Sequence, residues 1–252
     1  MTPFILTGFP RTGTTVVAAS IIDHPEILFY GEIFSTTPEV RVNEARRLTL
    51  GAGWQMDKRM GYELKPLDYR ASAAPYLEQF WAHQLPFRAL GFKIMLDQAV
   101  EGPNSDVWRY IADHPEVRIV RTRRSNLMEV VCSYARARVT RRWHTSGESM
   151  PEPQFIISPD EFANLVRRFT AVPEAFQGVE ATHPVLDLDY DRISSDFSGC
   201  MRDVYHFLGV SKRDVPEPRL KKIAKRAPRE ELVNYDELKQ HFAGTELARY
   251  FD

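Results

Sequence analysis

The sequence contains few of the residues that build disulfide frameworks and metal sites. Its 252 residues include only two cysteines, Cys132 and Cys200, which is too few for a disulfide framework or a cysteine-rich zinc site. The seven histidines show no H-E-x-x-H or similar ligand spacing. We therefore expect no metal, and a reducing compartment, the cytoplasm, as the location.

Long apolar runs and an excess of one charge are also missing. No stretch approaches the ~20 apolar residues that span a bilayer, and the short segment before Gly8 has neither a basic nor a long apolar region. The formal net charge is −1, whereas nucleic-acid-binding domains are usually basic. These features predict a soluble protein without a membrane span or a nucleic-acid partner, and they leave the oligomeric state open.

Short apolar segments alternate with segments of helical character. The predicted strands are Pro3 to Leu6, Ile27 to Tyr30, Leu90 to Leu96, Val117 to Val120 and Val185 to Leu188. Helices are predicted over 16–22, much of 38–88, 125–142, 160–176 and 194–208. This alternation predicts an α/β fold, a P-loop-type parallel sheet flanked by helices on both faces. No repeat or linker divides the chain, so we expect a single domain, 1–252, with 144–158 as a lid or surface loop.

The first predicted strand runs directly into the segment GFPRTGTT, residues 8–15. Its glycines are spaced as in the Walker A pattern G-x-x-x-x-G-K-[ST], in which backbone N–H groups converge on a phosphate at the start of a helix. Thr14 stands where that pattern has lysine, which counts against a nucleoside-triphosphate kinase. A turn with a capped helix and no ligand is the alternative; the preceding strand favours a phosphate loop.

This segment resembles the 5′-phosphosulfate loop of sulfotransferases that use 3′-phosphoadenosine-5′-phosphosulfate (PAPS), whose common forms are P-K-S-G-T-T and P-R-S-G-T-T. The resemblance implies transfer of a sulfuryl group from PAPS to a hydroxyl of a small-molecule or carbohydrate acceptor. It places Arg11 at the loop's basic position and Thr12 at its serine. Gly13, Thr14 and Thr15 complete the implied site for the 5′-phosphate, which is the leaving group.

Arginines follow the strand predicted at Val117 to Val120, in a segment that we predict to be a basic turn, 121–124. The same family binds the 3′-phosphate with an arginine after a central strand and a serine about eight residues later. Arg123 and Arg124 are the main candidates here, with Ser133 as the serine and Arg121 in reserve, because arginine binds two phosphate oxygens at once. Arg124 and Ser133 are nine residues apart, so the register stays open, and a solvated basic helix start is the alternative.

A further basic cluster lies at 219–226, before a tail at 231–238 that resembles the N-Y-x-x-L-like helix of related sulfotransferases. The resemblance implies that residues within 219–229 cover the nucleotide. Which of them do so stays open, and a solvated helix face is the alternative.

The segment HPEILFYGEIF, residues 24–34, resembles the H-P…G-E-x-F segment of bacterial trehalose and carbohydrate sulfotransferases. In those enzymes the glutamate is the proposed general base, which makes Glu32 the candidate here. A structural ion pair with Arg11 or Lys93 is the alternative for this carboxylate. His24 is interpreted as a turn residue before Pro25, and His144 lies in the predicted lid. These two histidines are next in line as bases if Glu32 is not the base.

The K-T-H motif of cytosolic sulfotransferases corresponds to Lys93-Ile94-Met95, so the lysine is kept and the catalytic histidine is not. We expect Lys93 to bind the transferring sulfonate or the bridging oxygen, and a strand-end lysine that reaches solvent is the alternative.

The residues alone are also compatible with two other functions. One is a small-molecule kinase that uses ATP, and the other is a non-catalytic binder of nucleotides or polyanions; an intact Glu32–Lys93 pair near the loop would speak against the latter. We expect regions 36–88 and 140–158 to shape the acceptor pocket.

Overall fold

The computed structural model describes residues 1–35, 70–82, 86–141, 143, 153–212, 214–215 and 226–251. Most of the predicted helical region 38–88, most of the lid 144–158 and most of the nucleotide-covering segment 219–229 lie outside the described residues. His144 does so too.

Five strands form one sheet in the order β2-β3-β1-β4-β5, and every neighbouring pair is parallel. The strands are β1 (Thr2–Gly8), β2 (Ile27–Glu32), β3 (Ala89–Met95), β4 (Arg118–Arg123) and β5 (Val185–Asp189). In the centre, Leu6 of β1 lies opposite Lys93 of β3 on one side and Val120 of β4 on the other. The five predicted strands are therefore confirmed, as is the parallel sheet.

Helices connect the strands and cover the sheet. They are α1 (Thr14–Ile22), α2 (Ala74–Ala82), α3 (Asp106–Ala112), α4 (Leu127–Thr140), α5 (Pro159–Thr170), α6 (Tyr190–Ser195), α7 (Phe197–Leu208), α8 (Pro228–Glu231) and α9 (Tyr235–His241). Short 3₁₀ turns occupy Pro103–Ser105, Glu174–Phe176, Val179–Ala181 and Glu246–Tyr250. Among the described residues, no helix has the length and apolar character that crossing a membrane requires.

Apolar side chains of the helices pack on both faces of the sheet, as expected for a parallel sheet. α1 and α7 cover one face, on which the strand residues Leu6 and Val120 are fully buried. α2 and α3 cover the other, where Phe92 and Ile119 are fully buried. A third cluster joins α4, α5 and α9. The α/β fold with helices on both faces is therefore confirmed.

The basic segment 121–124 is not a turn, as the sequence led us to expect, because β4 continues to Arg123. Arg121 and Arg123 pair in register with Asp187 and Asp189 of β5. Both arginine side chains bond to the Asp187 carboxylate, which gives the charged residues a partner within the sheet. The strand therefore tolerates a polar sequence, and the apolar pattern underestimates its length.

Two predicted helices are shorter than expected. The helix predicted at 194–208 is divided at Asp196, which separates α6 from α7 and caps α7 by accepting a hydrogen bond from Gly199 N. The helix predicted at 160–176 ends at Thr170, three residues before Pro173, which cannot continue a helix. No helix was predicted in the region of α3, so this helix was missed.

Because all five strands are parallel, their carboxyl ends meet at one edge of the sheet. The loop 8–13 follows β1, Glu32 ends β2, and Arg124 follows β4. Ligands of such sheets bind at this edge, near the point where the strand order reverses. Here the reversal occurs at β1, which lies between β3 and β4.

Candidate active site

The loop between β1 and α1 has an unusual backbone. Gly8, Arg11 and Gly13 all have positive φ, at 151°, 70° and 98°. Gly13 is the N-cap of α1 and has no side chain with which to cap the helix. The N–H groups of the first turn of a helix lack intrahelical partners and attract an anion. This backbone arrangement is suited to an anion.

Gly8 is required by close contact as well as by its φ value. A Cβ atom at this position would lie 2.7 Å from the Thr122 carbonyl oxygen and 2.9 Å from Thr12 Oγ1. Real Cβ contacts are essentially never below 3.0 Å. The approach of the loop to β4 therefore depends on glycine.

We expect Gly8→Ala to lower the free energy of unfolding by about 1–3 kcal/mol, because the strained backbone and the contact with Thr122 act together. Urea denaturation measures this. Gly178→Ala is the matched control, since Gly178 also has positive φ, 71°, but no atom of the described residues lies within 4 Å of its Cβ position. Equal losses in the two variants would mean that close contact at Gly8 costs nothing.

Thr12 connects the loop to β4 through its hydroxyl group. Its hydroxyl donates to the carbonyl oxygen of Phe9 at 2.7 Å and lies 2.7 Å from Thr122 Oγ1. The side chain is buried, as is that of Thr14, whereas Thr15 is half-buried. The Thr12 hydroxyl is thus used within the protein, so any contact of Thr12 with a ligand falls to its backbone N–H.

Arg11 joins the loop to α4. Its Nε donates to Ser133 Oγ at 2.9 Å, and its Nη1 donates to the carbonyl oxygen of Trp143 at 2.6 Å. Burial, reinforced by Arg136 and Arg124 and opposed by Tyr190, lowers the pKa of Arg11 to about 10. Among the described residues, none of the contacts of Arg11 is with a carboxylate. Its charge is therefore left for an anion to balance.

Arg124 contacts the loop from the other side. Its Nη1 donates to the Arg11 carbonyl oxygen at 3.4 Å, its Nη2 pairs with Glu129, and its guanidinium lies 4.0 Å from the ring centroid of Tyr190. The side chain is only 6% exposed, and its Nε has no hydrogen-bond partner among the described residues. The structure thus brings two predicted residues, Arg124 and Ser133, together at Arg11.

Arg121 and Arg123 have a different environment. Arg121 bonds to Asp187 at 2.7 Å and lies 3.6 Å from Glu180, and the acidic partners raise its pKa against the opposing effect of burial. Arg123 pairs with Asp187 at 3.0 Å, and its side chain is half-exposed. Because side chains alternate along a strand, both point away from the face on which Thr122 meets the loop. Among the described contacts, neither arginine touches the loop.

Glu32 and Lys93 form an ion pair where β2 and β3 end. Lys93 Nζ lies 2.8 Å from Glu32 Oε1, and the side chains are 3% and 18% exposed. The second carboxylate oxygen of Glu32 accepts a hydrogen bond from Gln98 Nε2 at 2.6 Å. The carboxylate is therefore held at both oxygens and keeps some access to solvent.

Gln98 has a defined orientation, because its Oε1 accepts from Met95 N at 3.0 Å and its backbone oxygen accepts from Trp108 Nε1 at 2.9 Å. Only its amide nitrogen is left to face Glu32. Gln98 was not predicted as a site residue, and no motif marks it.

Tyr190 and Glu129 were missed as well. Tyr190 was not among the predicted site residues, but its ring lies against the Arg124 guanidinium. Glu129 is three residues after the N-cap Asn126, whose side chain accepts from Glu129 N at 3.1 Å. That capping pattern is visible in the sequence, but the ion pair with Arg124 is not.

His24 is a reserve candidate for the base. It lies three residues before β2, at the amino edge of the sheet, opposite to the loop. It is buried, its Nδ1 accepts from Glu26 N at 3.2 Å, and its Nε2 lies 3.1 Å from the Ser211 carbonyl oxygen. These contacts favour the interpretation of His24 as a turn residue before Pro25 over the reserve role as a base.

The groups follow one another along the carboxyl edge in the order of the strands. The Glu32 carboxylate lies at the end of β2, and the Lys93 ammonium lies at β3. The loop 8–13 follows β1, and Arg124 follows β4. Neighbouring strands are about 4.8 Å apart, so the carboxylate and the loop are separated by about 10 Å. This spacing suits a reaction in which a proton is accepted at one end and an anionic leaving group is stabilised at the other.

Comparisons with known proteins identify the family of the chain. A model described as the sulfotransferase family matches residues 3–214. Nodulation protein H of Rhizobium meliloti strain 1021 is 25% identical over 258 residues, which cover 99% of this chain and 95% of that protein. Nodulation protein H of Rhizobium tropici is 26% identical over 260 residues, with 99% and 93% covered.

Solved structures show the same fold. Sulfotransferase STF9 from Mycobacterium avium has a TM-score of 0.51 at 14% identity, with 96% of this chain and 75% of that chain covered. The family match spans most of the chain, including the phosphate loop, Glu32, Lys93 and Ser133. It favours sulfuryl transfer over the ATP-dependent kinase and the non-catalytic binder. The chain therefore belongs to the PAPS-dependent sulfotransferase family.

Proposed function

We propose that this enzyme binds PAPS along the carboxyl edge of the sheet and transfers its sulfuryl group to an acceptor hydroxyl, with Glu32 as the general base. The observation that carries the proposal is the Glu32–Lys93 pair, which lies two strands from a loop whose arginine has no described carboxylate partner. An acceptor bound beside Glu32 then faces a donor held at the loop.

In the proposed reaction the acceptor oxygen attacks sulfur, and the bond between sulfur and the 5′-phosphate oxygen breaks. The hydroxyl proton passes to Glu32, and the products are the sulfated acceptor and adenosine 3′,5′-bisphosphate. Lys93 has three donors and uses one on Glu32. Its remaining donors are suited to the sulfonate or the bridging oxygen.

Arg11 and the start of α1 are proposed to stabilise the leaving group. Charge grows on the 5′-phosphate as the bond to sulfur breaks, and preorganised donors at that position lower the barrier. The backbone N–H groups of Gly13, Thr14 and Thr15 are at the helix start. Because Arg11 and Lys93 supply positive charge, the proposed reaction uses no metal.

For the 3′-phosphate, the contacts with Arg11 support Arg124 and Ser133. The buried Nε of Arg124 has no partner in the described ranges and is a further donor in this region. The role of Arg123 in binding the 3′-phosphate stays a prediction, because none of its described contacts is with Arg11.

The acceptor is proposed to be a carbohydrate or another small molecule with a hydroxyl, as the segment around Glu32 implies. The cytoplasm stays the predicted location. It suits the two cysteines, Cys132 and Cys200, which are both free and buried.

Ligand-induced stabilisation tests the donor. At ~100 times its dissociation constant a ligand adds roughly 2.7 kcal/mol of stability, which corresponds to a rise in Tm of about 5–10 °C for a chain of this size. We expect adenosine 3′,5′-bisphosphate to raise Tm more than AMP, which lacks the 3′-phosphate. Equal shifts with the two nucleotides, or a larger shift with ATP and Mg²⁺, would contradict the proposed donor site.

A further inference from the structure

One side of α4 carries three polar residues that each contact a different part of the protein. Glu129, Ser133 and Arg136 are four and three residues apart, which places them on the same side of the helix. Glu129 pairs with Arg124 after β4, and Ser133 accepts from Arg11 in the loop. Arg136 pairs with Glu231 of α8, so this side of α4 connects the donor site to the C-terminal region.

The Arg136–Glu231 pair is deeply buried and incompletely satisfied. The side chains are 5% and 1% exposed. Within the part of the chain that the structure describes, Arg136 Nε and Glu231 Oε1 have no hydrogen-bond partner. Removing two charges from water costs several kcal/mol for each ion, and apolar residues of similar size are often equally or more stabilising. Stability alone therefore does not explain the pair.

Glu231 is anchored to the body of the protein by its neighbours. Its backbone oxygen accepts from Phe155 N at 3.0 Å, and Leu232 forms a β-bridge with Phe155. Leu232 belongs to the apolar cluster of α4, α5 and α9, which also contains Phe242 and Phe251. These contacts fix the backbone that carries the Glu231 carboxylate, and Arg136 forms its ion pair with that carboxylate.

Charge links the pair to the loop. Arg11, Arg124 and Arg136 are close enough that the latter two contribute, after burial, to lowering the pKa of Arg11. Glu129 neutralises Arg124, and Glu231 neutralises Arg136. Among the described residues, Arg11 is thus the member of the group whose charge no carboxylate partner balances.

We propose that the buried Arg136–Glu231 pair is a positioning device of the donor site: it holds α4 against the C-terminal region so that Ser133 orients Arg11, and it balances Arg136 so that the net positive charge lies at Arg11. This inference rests on the proposed function. Arg136 and Glu231 act through Arg11 and Ser133, so they are positioning residues.

The test is the double variant R136M/E231L, which replaces the pair by apolar side chains of similar size. Its unfolding midpoint in urea is expected to equal or exceed that of the wild type. Calorimetry is expected to show binding of adenosine 3′,5′-bisphosphate weakened about tenfold or more. KM for PAPS is expected to rise in parallel, while KM for the acceptor is unchanged.

The matched control is R138M/E161L. Arg138 also lies on α4 and pairs with Glu161 at 2.5 Å, but the two side chains are 54% and 37% exposed. This variant is expected to bind the bisphosphate as the wild type does. Weakened binding in both variants would point to a general effect on α4 and overturn the proposal.

A folded R136M/E231L variant with wild-type bisphosphate affinity would overturn the inference and leave the proposed function intact. A wild-type enzyme that fails to bind the bisphosphate would instead overturn the proposed function. If R136M/E231L does not fold, Arg136→Lys decides, because it keeps the charge but loses the planar fork of donors. The proposal then expects a folded protein with weaker bisphosphate binding, and unchanged binding contradicts it.

Discussion

Replacing Glu32 with glutamine is expected to lower kcat by about 10²–10⁴-fold, the range for loss of a general base. Glutamine preserves the shape of the side chain but cannot accept the proton of the acceptor hydroxyl. A carboxylate is a weak base toward an alcohol, so the proton is expected to move together with the sulfuryl group. The loss therefore falls on the chemical step. Steady-state kinetics with PAPS and an accepted hydroxyl compound, found by screening acceptors with labelled PAPS, measure it.

Donor affinity is expected to change little in Glu32→Gln, because Glu32 lies at β2, beyond β3 and Lys93 when viewed from the loop. Calorimetry with the bisphosphate measures this. Glu116→Gln is the matched control: Glu116 is exposed and precedes β4 at the amino edge of the sheet, away from the site. It is expected to have wild-type kcat and bisphosphate affinity.

Two outcomes would contradict the role of Glu32. Near-normal turnover in Glu32→Gln would assign proton transfer to another group, with His144 as the next candidate. Loss of folding or of bisphosphate binding would mark Glu32 as a structural partner of Lys93, whose ammonium is buried and has the Glu32 carboxylate beside it. Urea denaturation of the variant separates these outcomes from a catalytic defect.

Arg11→Ala is expected to lower kcat by about 10²-fold or more, the scale for losing one electrostatic stabiliser of a transition state. Its Nε bonds to Ser133 and its Nη1 to Trp143, so the guanidinium is held in place before the donor binds. Interactions that strengthen in the transition state act on kcat. Because charge develops on the 5′-phosphate as the sulfuryl group leaves, the defect is expected in kcat more than in KM for PAPS.

Two further variants complete this experiment. Arg11→Lys is expected to recover part of the activity, since lysine keeps the charge but loses the fork of donors. Arg109→Ala is the control for loss of an arginine, because Arg109 lies on α3 with a side chain that is 77% exposed. A change confined to KM for PAPS in Arg11→Ala would show that Arg11 binds the donor without stabilising the leaving group.

Local patterns predict the parts of this site that lie within one segment. The loop GFPRTGTT can be predicted because Gly8 and Gly13 adopt positive φ values. Such backbone requirements depend on the residue itself and its neighbours in the sequence. The strands are predicted where they are apolar, as in β1 and β3. The pattern fails at Arg121 and Arg123, which join β4 because a carboxylate on the neighbouring strand pairs with both.

Contacts between distant segments were predicted less well. The Glu32–Lys93 pair was named as an alternative from the motifs alone, and the structure contains it. Gln98 was missed because its importance depends on its amide group lying between Met95 N and Glu32, which are in different strands. Arg136 was missed because its partner Glu231 is 95 residues away.

Local sequence specifies the glycine-containing loop after β1, the alternation of strands and helices, and the chemical types of the groups available. These properties follow from backbone sterics and apolar periodicity, which act over a few residues. Which of those groups lie close together depends on the tertiary structure. The order β2-β3-β1-β4-β5 places Glu32, Lys93, the loop and Arg124 side by side at one edge. That order results from the packing of helices on both faces of the sheet. The packing depends on apolar burial over the whole chain, so it cannot be predicted from any single segment.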